Sequence, residues 1–128
     1  MRLLLDTHLL LWAMEDSPRL TPAVRNFIAG TGEVYVSAAT AWEIAIKCAA
    51  GKLKAPGNIE EALRESRFAP LAISVRHALE AGALPRYHAD PFDRMLIAQA
   101  RCEGLQLLTS DDRLMQYGPA VLHCRDVR

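Results

Sequence analysis

The stretch Arg2-Leu3-Leu4-Leu5-Asp6 decides the fold, because three consecutive leucines end in a carboxylate. An apolar run of this kind is typical of a short strand that is buried on both faces, as in a parallel sheet covered by helices. Similar runs occur at 33–37 and 105–109, and shorter ones at 70–73 and near 121–123. These five segments are predicted to be strands.

Segments of helix-forming composition alternate with the strands. Helices are predicted at 8–15, 21–30, 38–50, 58–67, 75–82 and 91–104, and residues 51–57 are predicted to form a loop. The alternation predicts an α/β fold, a three-layer α/β/α sandwich with a mostly parallel central sheet. At 128 residues the chain is expected to form a single domain over 1–128.

Composition excludes several functional classes. Fifteen basic and fifteen acidic residues leave no net charge, so any binding of nucleic acid has to be local and is expected to be metal-assisted. No apolar run approaches the length of a signal peptide or a membrane span, which predicts a cytoplasmic protein with no membrane partner. Cys48, Cys102 and Cys124 lack the spacing of a disulfide framework or a zinc site.

Four acidic residues follow the predicted strands or begin the helices beside them: Asp6, Glu43, Asp93 and Asp111. The carboxyl edge of an open parallel sheet is where ligands bind, and each of these residues is predicted to lie there. Clustered carboxylates repel each other unless a cation lies between them, and oxygen ligands suit Mg²⁺ or Mn²⁺. The pattern therefore predicts a divalent metal site.

Each acidic motif also has a structural interpretation. Thr40-x-x-Glu43 has the form of a capping box, and Asp90-Pro91-x-Asp93 that of an N-cap followed by proline and an acid. Asp111 and Asp112 are also residues that favour turns. Capping does not account for Asp6 behind three leucines, nor for the convergence of all four acids on one edge.

Four separated motifs resemble PIN-domain ribonucleases, and in particular the VapC toxins of prokaryotic toxin–antitoxin pairs. The resemblance covers essentially the whole chain. The motifs are Asp6-Thr7-His8, Ser37-x-x-Thr40-x-Trp42-Glu43-Ile44, His88-x-Asp90-Pro91-Phe92-Asp93-Arg94-Met95-Leu96-Ile97-Ala98-Gln99-Ala100 and Leu107-Leu108-Thr109-Ser110-Asp111.

This resemblance implies a metal-dependent endoribonuclease that hydrolyses RNA and leaves a 5′-phosphate and a 3′-hydroxyl. Its acidic site falls on Asp6, Glu43, Asp93 and Asp111, with Asp90 and Asp112 as neighbours and with Thr7, Ser37 and Thr109 as supporting hydroxyls. We expect Asp6 and Asp93 to be the principal ligands, Glu43 a ligand or a base acting through water, and Asp111 a ligand of a second ion or an orienting group. The resemblance also implies two protein partners, a second copy in a homodimer and a cognate antitoxin.

Other residues give weaker signals. The histidines show no metal-ligand spacing, although His8 and His88 lie near the acids in sequence. Arg94 is a candidate for contact with a phosphate or an inhibitor, and Trp42 is expected to belong to the core or an interface. Residues 9–14 are apolar nearly all round, which predicts that a partner covers part of this helix.

Two other functional classes remain open. An acid-cluster phosphatase or a DNA-directed nuclease would use the same ions, although the D-x-D arrangement of aspartyl-phosphate phosphatases is missing at Asp6-Thr7-His8. A non-catalytic receiver-like module would bind Mg²⁺ with clustered acids, but it normally needs a lysine at a late strand end, and none lies near Thr109.

Overall fold

The computed structural model describes residues 1–54 and 57–127, and five parallel strands form its central sheet. The strands are β1 (Arg2–Leu5), β2 (Glu33–Ser37), β3 (Ala69–Leu71), β4 (Gln106–Thr109) and β5 (Val121–His123). Their order across the sheet is β3-β2-β1-β4-β5, and every neighbouring pair is parallel. The predicted α/β class is confirmed, and the sheet is wholly rather than mostly parallel.

Six α-helices are found in the described residues: α1 (Thr7–Met14), α2 (Pro22–Gly30), α3 (Ala38–Ala49), α4 (Ile59–Glu65), α5 (Val75–Ala83) and α6 (Pro91–Glu103). Two 3₁₀ helices at Asp112–Tyr117 and Cys124–Asp126 were not predicted. The predicted loop at 51–57 has neither helix nor strand at 51–54 and 57, and residues 55 and 56 lie outside the described part of the chain.

Local chemistry explains the ends of several helices. The Thr21 hydroxyl accepts a hydrogen bond from the Val24 amide at 3.3 Å, so Thr21 caps α2 and does not begin it as predicted. Gly104 ends α6 in the left-handed conformation with φ 68°, where glycine lacks the steric penalty of a Cβ. Asp6, predicted as the last residue of the first strand, is instead the N-cap position of α1.

The two faces of the sheet pack into separate apolar layers. Leu3 and Leu5 of β1 belong to one apolar layer with residues of α1 to α4, whereas Leu4 belongs to the other layer with residues of α5 and α6. All three leucines are completely buried, which confirms the prediction of a strand covered on both faces. The three-layer sandwich follows from this alternation, because successive side chains of a strand point to opposite faces.

The apolar stretch of α1 is covered mainly by the chain itself. Leu9 and Leu10 are fully buried and Leu11 is 8% exposed, whereas Trp12 and Met14 are half-buried at the edge of the core. Packing within the chain therefore accounts for most of the apolar surface that the sequence attributed partly to a partner. In the described ranges, no helix has the length and apolar character needed to cross a membrane.

We predict that Leu4→Ala lowers the free energy of unfolding by about 2–5 kcal/mol, because it leaves a cavity beneath α6. Leu79→Ala is the matched control, since Leu79 on α5 is 70% exposed and its truncation leaves no cavity. Urea denaturation followed by circular dichroism measures both values. Equal losses for the two variants would contradict the assignment of β1 to the core.

Candidate active site

The candidate site lies at the carboxyl edge of the sheet, where β1 and β4 end. The Asp6 amide donates a hydrogen bond to the Leu108 carbonyl at 3.0 Å, which holds the residue after β1 against β4. Glu43 reaches the edge from α3, and Asp93 from the first turn of α6. Asp111 follows β4 by two residues.

Asp6 is buried with only part of its hydrogen-bonding capacity used. Its side chain is 2% exposed, and the Thr109 hydroxyl donates to its Oδ2 atom at 2.6 Å. Oδ1 is buried and has no hydrogen-bond partner in the described structure, and the side chain makes no helix-capping bond. Burial raises the pKa of Asp6 above its usual range, because the charged form loses hydration.

Asp93 is placed by a capped helix start. The Asp90 carboxylate accepts hydrogen bonds from the amides of Phe92 at 2.8 Å and Asp93 at 3.2 Å, so the capping interpretation is correct for Asp90. Asp93 itself does not cap; its Oδ2 atom lies 2.8 Å from His88 Nε2. Burial, together with the negative charge of Asp6, raises the pKa of Asp93 to about 6. Asp6 and Asp93 therefore share one electrostatic environment.

Glu43 is held by two side chains and does not cap a helix. The cap of α3 is Ser37, whose hydroxyl accepts from the Ala39 amide at 3.0 Å, so the predicted capping box at Thr40-x-x-Glu43 is wrong. Glu43 lies in the second turn and is 6% exposed. Its Oε1 atom accepts from the Thr7 hydroxyl at 2.9 Å, and Lys47 Nζ lies 2.8 Å from Oε2.

Lys47 forms an ion pair with Glu43 and also interacts electrostatically with the acids at the start of α6. The hydrogen bond to Glu43 raises the pKa of Lys47, and the charges of Glu43, Asp90 and Asp93 raise it further. The ammonium group is therefore influenced by the charges of the two acids at the start of α6 as well as by that of Glu43. Because Lys47 supplies one positive charge, Glu43 is already neutralised without any bound ion.

Asp111 is also neutralised from within the chain. Arg113 donates to both of its oxygens, from Nε at 3.1 Å to Oδ1 and from Nη2 at 2.8 Å to Oδ2. These bonds hold the pKa of Asp111 below its usual range. Its Oδ1 also accepts from the Arg113 amide and caps the following 3₁₀ helix, as the turn interpretation predicted. Asp112 is exposed and pairs with Arg125 and His123.

His88 belongs to this cluster, although the sequence showed no metal-ligand spacing for any histidine. One ligand atom each from His88, Asp90 and Asp93 lies within 4.8 Å of the other two. His88 is hydrogen-bonded to Asp93, so the sequence neighbour of the acids is also their neighbour in space. In the sequence, the feature that indicates its place near the acids is its position two residues before Asp90, the N-cap of α6. Of the predicted supporting hydroxyls, Thr7 and Thr109 contact the acids.

The four predicted acids thus fall into two classes. Within residues 1–54 and 57–127, no lysine or arginine nitrogen lies within 4.0 Å of the carboxylate of Asp6 or Asp93. Glu43 and Asp111, by contrast, each have a cationic partner. A site with one buried and one partly buried carboxylate, and with no lysine or arginine between them, can accept a divalent ion, since its charge removes their repulsion.

Comparison with known proteins agrees with this architecture. The family model "PIN domain" matches residues 3–118. No curated protein sequence matches the chain.

Several solved structures are similar in fold. A toxin–antitoxin complex from Klebsiella pneumoniae contains a chain that is 21% identical, with a TM-score of 0.68 over 93% of this chain and 94% of that one. DNA-bound VapBC from Salmonella typhimurium gives 20% identity and a TM-score of 0.67, covering 96% of both chains. VapBC2 from Rickettsia felis, bound to a promoter DNA fragment, gives 16% identity and 0.66, covering 96% and 97%.

We predict that Asp6→Asn, in metal-free buffer, melts at the same temperature as the unmutated protein or higher. Asparagine can still accept from Thr109 and carries no buried charge. Because the folded pKa of Asp6 is raised, the folded state binds its proton more tightly than the unfolded state does. The contribution of Asp6 to stability therefore falls as pH rises from about 4, the ordinary pKa of aspartate, through the folded value.

The advantage of the variant should accordingly appear at neutral pH and vanish on acidification, when the carboxyl group is protonated in both states. Melting curves in chelator at several pH values measure it. Asp126→Asn is the matched control, because Asp126 is exposed near the end of the chain. A lower melting temperature for Asp6→Asn at neutral pH would mean that the carboxylate stabilises the fold.

Proposed function

The chain belongs to the PIN domain family, and we propose that it is a metal-dependent endoribonuclease that acts as the toxin of a toxin–antitoxin pair. Family membership supports nuclease chemistry over the phosphatase and receiver alternatives. The likeness in fold to chains of toxin–antitoxin complexes supports the toxin role. The observation that carries the proposal is the buried Asp6 carboxylate, one oxygen of which has no hydrogen-bond partner in the described residues and whose charge raises the pKa of Asp93.

The residues present fit a bound Mg²⁺ or Mn²⁺ ion. A buried carboxylate oxygen without a donor is costly unless a cation or proton satisfies it, and Oδ1 of Asp6 has no donor among the residues that the structure describes. Carboxylate oxygens are the ligands that Mg²⁺ and Mn²⁺ prefer. Asp6 and Asp93 would hold the ion. When bound, such an ion supplies charge neutralisation at the phosphate and a more acidic water as nucleophile.

The chain's own residues orient these two ligands. The Thr109 hydroxyl donates to one oxygen of Asp6 and leaves the other free. The Asp90 cap fixes the first turn of α6, and His88 shares a hydrogen bond with Asp93 that fixes the direction of its carboxylate. Groups that orient metal ligands in this way are expected to affect metal affinity as well as rate.

Glu43 and Asp111 have different roles in the proposal, because their charges are already paired. Glu43 is held between Thr7 and Lys47, and in the proposal it accepts a proton from a water molecule or becomes a further ligand after releasing Lys47. Asp111 orients the segment after β4 through its bonds with Arg113. We assign Asp111 to a second ion or to orientation of the first site.

The proposed substrate is RNA, and the proposed protein partners are a cognate antitoxin and a second copy of the chain. A contiguous apolar surface supports a homodimer, since exposed patches of this kind mark interaction sites. Trp42 and Ile73 are 62% and 39% exposed and line one surface cavity with Phe92 and Met95; the Trp42 ring packs edge-on against Phe92 with ring centroids 5.4 Å apart.

We predict that RNA cleavage stops in EDTA and returns when Mg²⁺ or Mn²⁺ is added in excess. Asp93→Asn should lower the metal-restored rate by about 10²-fold or more, as removal of a group that stabilises the transition state typically does. Cleavage of a labelled RNA oligonucleotide, separated on a denaturing gel, gives the rates. Asp126→Asn should keep the unmutated rate.

The same assay on a DNA oligonucleotide of equal sequence separates the substrate classes. Faster cleavage of DNA than of RNA would contradict the ribonuclease assignment. Cleavage that persists in EDTA and is absent from the Asp93→Asn preparation would show that the reaction belongs to this protein but needs no metal.

We predict that expression of the chain in bacteria arrests growth, because a free endoribonuclease depletes cellular RNA. Asp93→Asn, expressed to the same soluble level, should leave growth unchanged. Co-expression of the adjacent small reading frame, the expected antitoxin, should restore growth. Colony counts after induction measure all three. Normal growth with folded, soluble, unmutated protein would argue for a regulatory or housekeeping role.

A further inference from the structure

The side chain of Arg94 is saturated by backbone carbonyls. Its Nη1 atom donates to Pro85 at 3.0 Å and His88 at 3.3 Å, and its Nη2 atom donates to Ala81 at 2.8 Å and Leu84 at 3.0 Å. A guanidinium has five N–H donors, so these four bonds leave little capacity for another ligand. The structure therefore gives no support to the expected contact of Arg94 with a phosphate or an inhibitor. The guanidinium instead binds backbone carbonyls of the same chain.

Tyr117 holds the same segment from a different element. Its hydroxyl donates to the Pro85 carbonyl at 2.8 Å and accepts from the His88 amide at 3.1 Å. The ring is 2% exposed and belongs to the apolar layer beneath α6. Arg94 Nη1 also lies 3.5 Å from this hydroxyl. Both side chains therefore bind the Pro85 carbonyl and lie close to each other.

Segment 84–90 has no helix or strand of its own to fix it. Both backbone groups of His88 are nevertheless bound, the amide by Tyr117 and the carbonyl by Arg94. The His88 ring then lies 2.8 Å from Asp93, one residue before Arg94 on α6. The segment is thus locked to the helix that carries the candidate ligand and to the 3₁₀ helix that follows Asp111.

We propose that Arg94 and Tyr117 form a clamp that positions His88 against Asp93, and that both are positioning residues for RNA cleavage. This inference rests on the proposed function. Arginine suits the role because its planar fork reaches four carbonyls at fixed angles, which the single ammonium of lysine cannot do. A small displacement of a group that orients a metal ligand is enough to slow the reaction strongly.

The experiment compares Tyr117→Phe and Arg94→Lys with the unmutated protein in three measurements. These are kcat and KM for an RNA oligonucleotide, the Kd for Mn²⁺ alone by titration calorimetry, and the ¹⁵N chemical shifts of the His88 ring with the exchange rate of its amide. Tyr117→Phe removes one hydroxyl and leaves the ring in the core, so folding is expected to survive.

In Tyr117→Phe we expect kcat to fall about tenfold with KM within about twofold, because the defect lies in positioning rather than in substrate binding. The Kd for Mn²⁺ should rise about tenfold, the size typical of losing an outer-shell partner. The His88 amide should exchange faster, since it loses its acceptor, and its ring shifts should move. Arg94→Lys should show larger changes in the same direction.

Two controls separate positioning from general stability. Tyr87→Phe is the matched substitution: its ring packs 5.1 Å from that of Tyr117, it is 52% exposed, and its hydroxyl makes no hydrogen bond within residues 1–54 and 57–127. Leu63→Ala removes buried surface on the opposite face of the sheet. Both controls should keep the unmutated kcat and Mn²⁺ affinity well below their melting temperatures.

Unchanged kcat and Mn²⁺ affinity in both clamp variants would overturn the proposal, as would losses no larger than those of Leu63→Ala. If the unmutated protein neither cleaves RNA nor binds Mn²⁺, the proposed function fails separately. In that case the ¹⁵N shifts of the His88 ring test the clamp by themselves. Shifts altered in Tyr117→Phe but not in Tyr87→Phe support the clamp, and shifts unaltered in Tyr117→Phe overturn it.

Discussion

Burial of β1 at the centre of the sheet is the constraint on which the site depends. Leu3, Leu4 and Leu5 are fully buried, and the strand pairs with β2 on one side and β4 on the other. A shift of one residue would move each leucine to the opposite face, so the register is strongly specified. The next residue, Asp6, is therefore held at the middle of the carboxyl edge, where parallel sheets bind ligands. The hydrophobic core thus determines where the acid lies.

Some of the acids at this edge have a cationic partner within the chain and others do not, and the proposed metal site depends on this difference. Glu43 and Asp111 have cations within the chain, whereas Asp6 and Asp93 have a hydroxyl and an imidazole as partners. Burial of a carboxylate without a counter-charge raises its pKa and opposes folding. An ion that binds only the folded state would offset this cost by mass action. These two carboxylates, which have no lysine or arginine partner in the described residues, thus favour a bound cation and lower the stability of the protein without one.

Asp93 and His88 are held in position in different ways, one by a helix and the other by side chains that bind a loop. Asp93 lies on α6, whose first turn is fixed by the Asp90 cap, so its backbone is set by the helix. His88 lies on a segment without helix or strand, and side chains from two other elements hold it. A functional group on a loop needs such support, because nothing in the local backbone restrains it.

The sequence by itself determined the parallel α/β architecture and the edge at which the acids lie. Both follow from local signals: uninterrupted apolar runs define the strands, and Pro91 and Gly104 mark the ends of α6. Only the tertiary structure decided which acid has which partner. The hydrogen bond from Thr109 to Asp6 joins residues 103 positions apart, and no hydrophobic pattern in the sequence can predict such a contact. Even for Glu43, where Lys47 is one turn away, the sequence predicted a cap, a ligand or a base, and the ion pair emerged only from the structure. The choice depended on the packing of α3 against Thr7, because a side chain adopts the direction that its surroundings leave open.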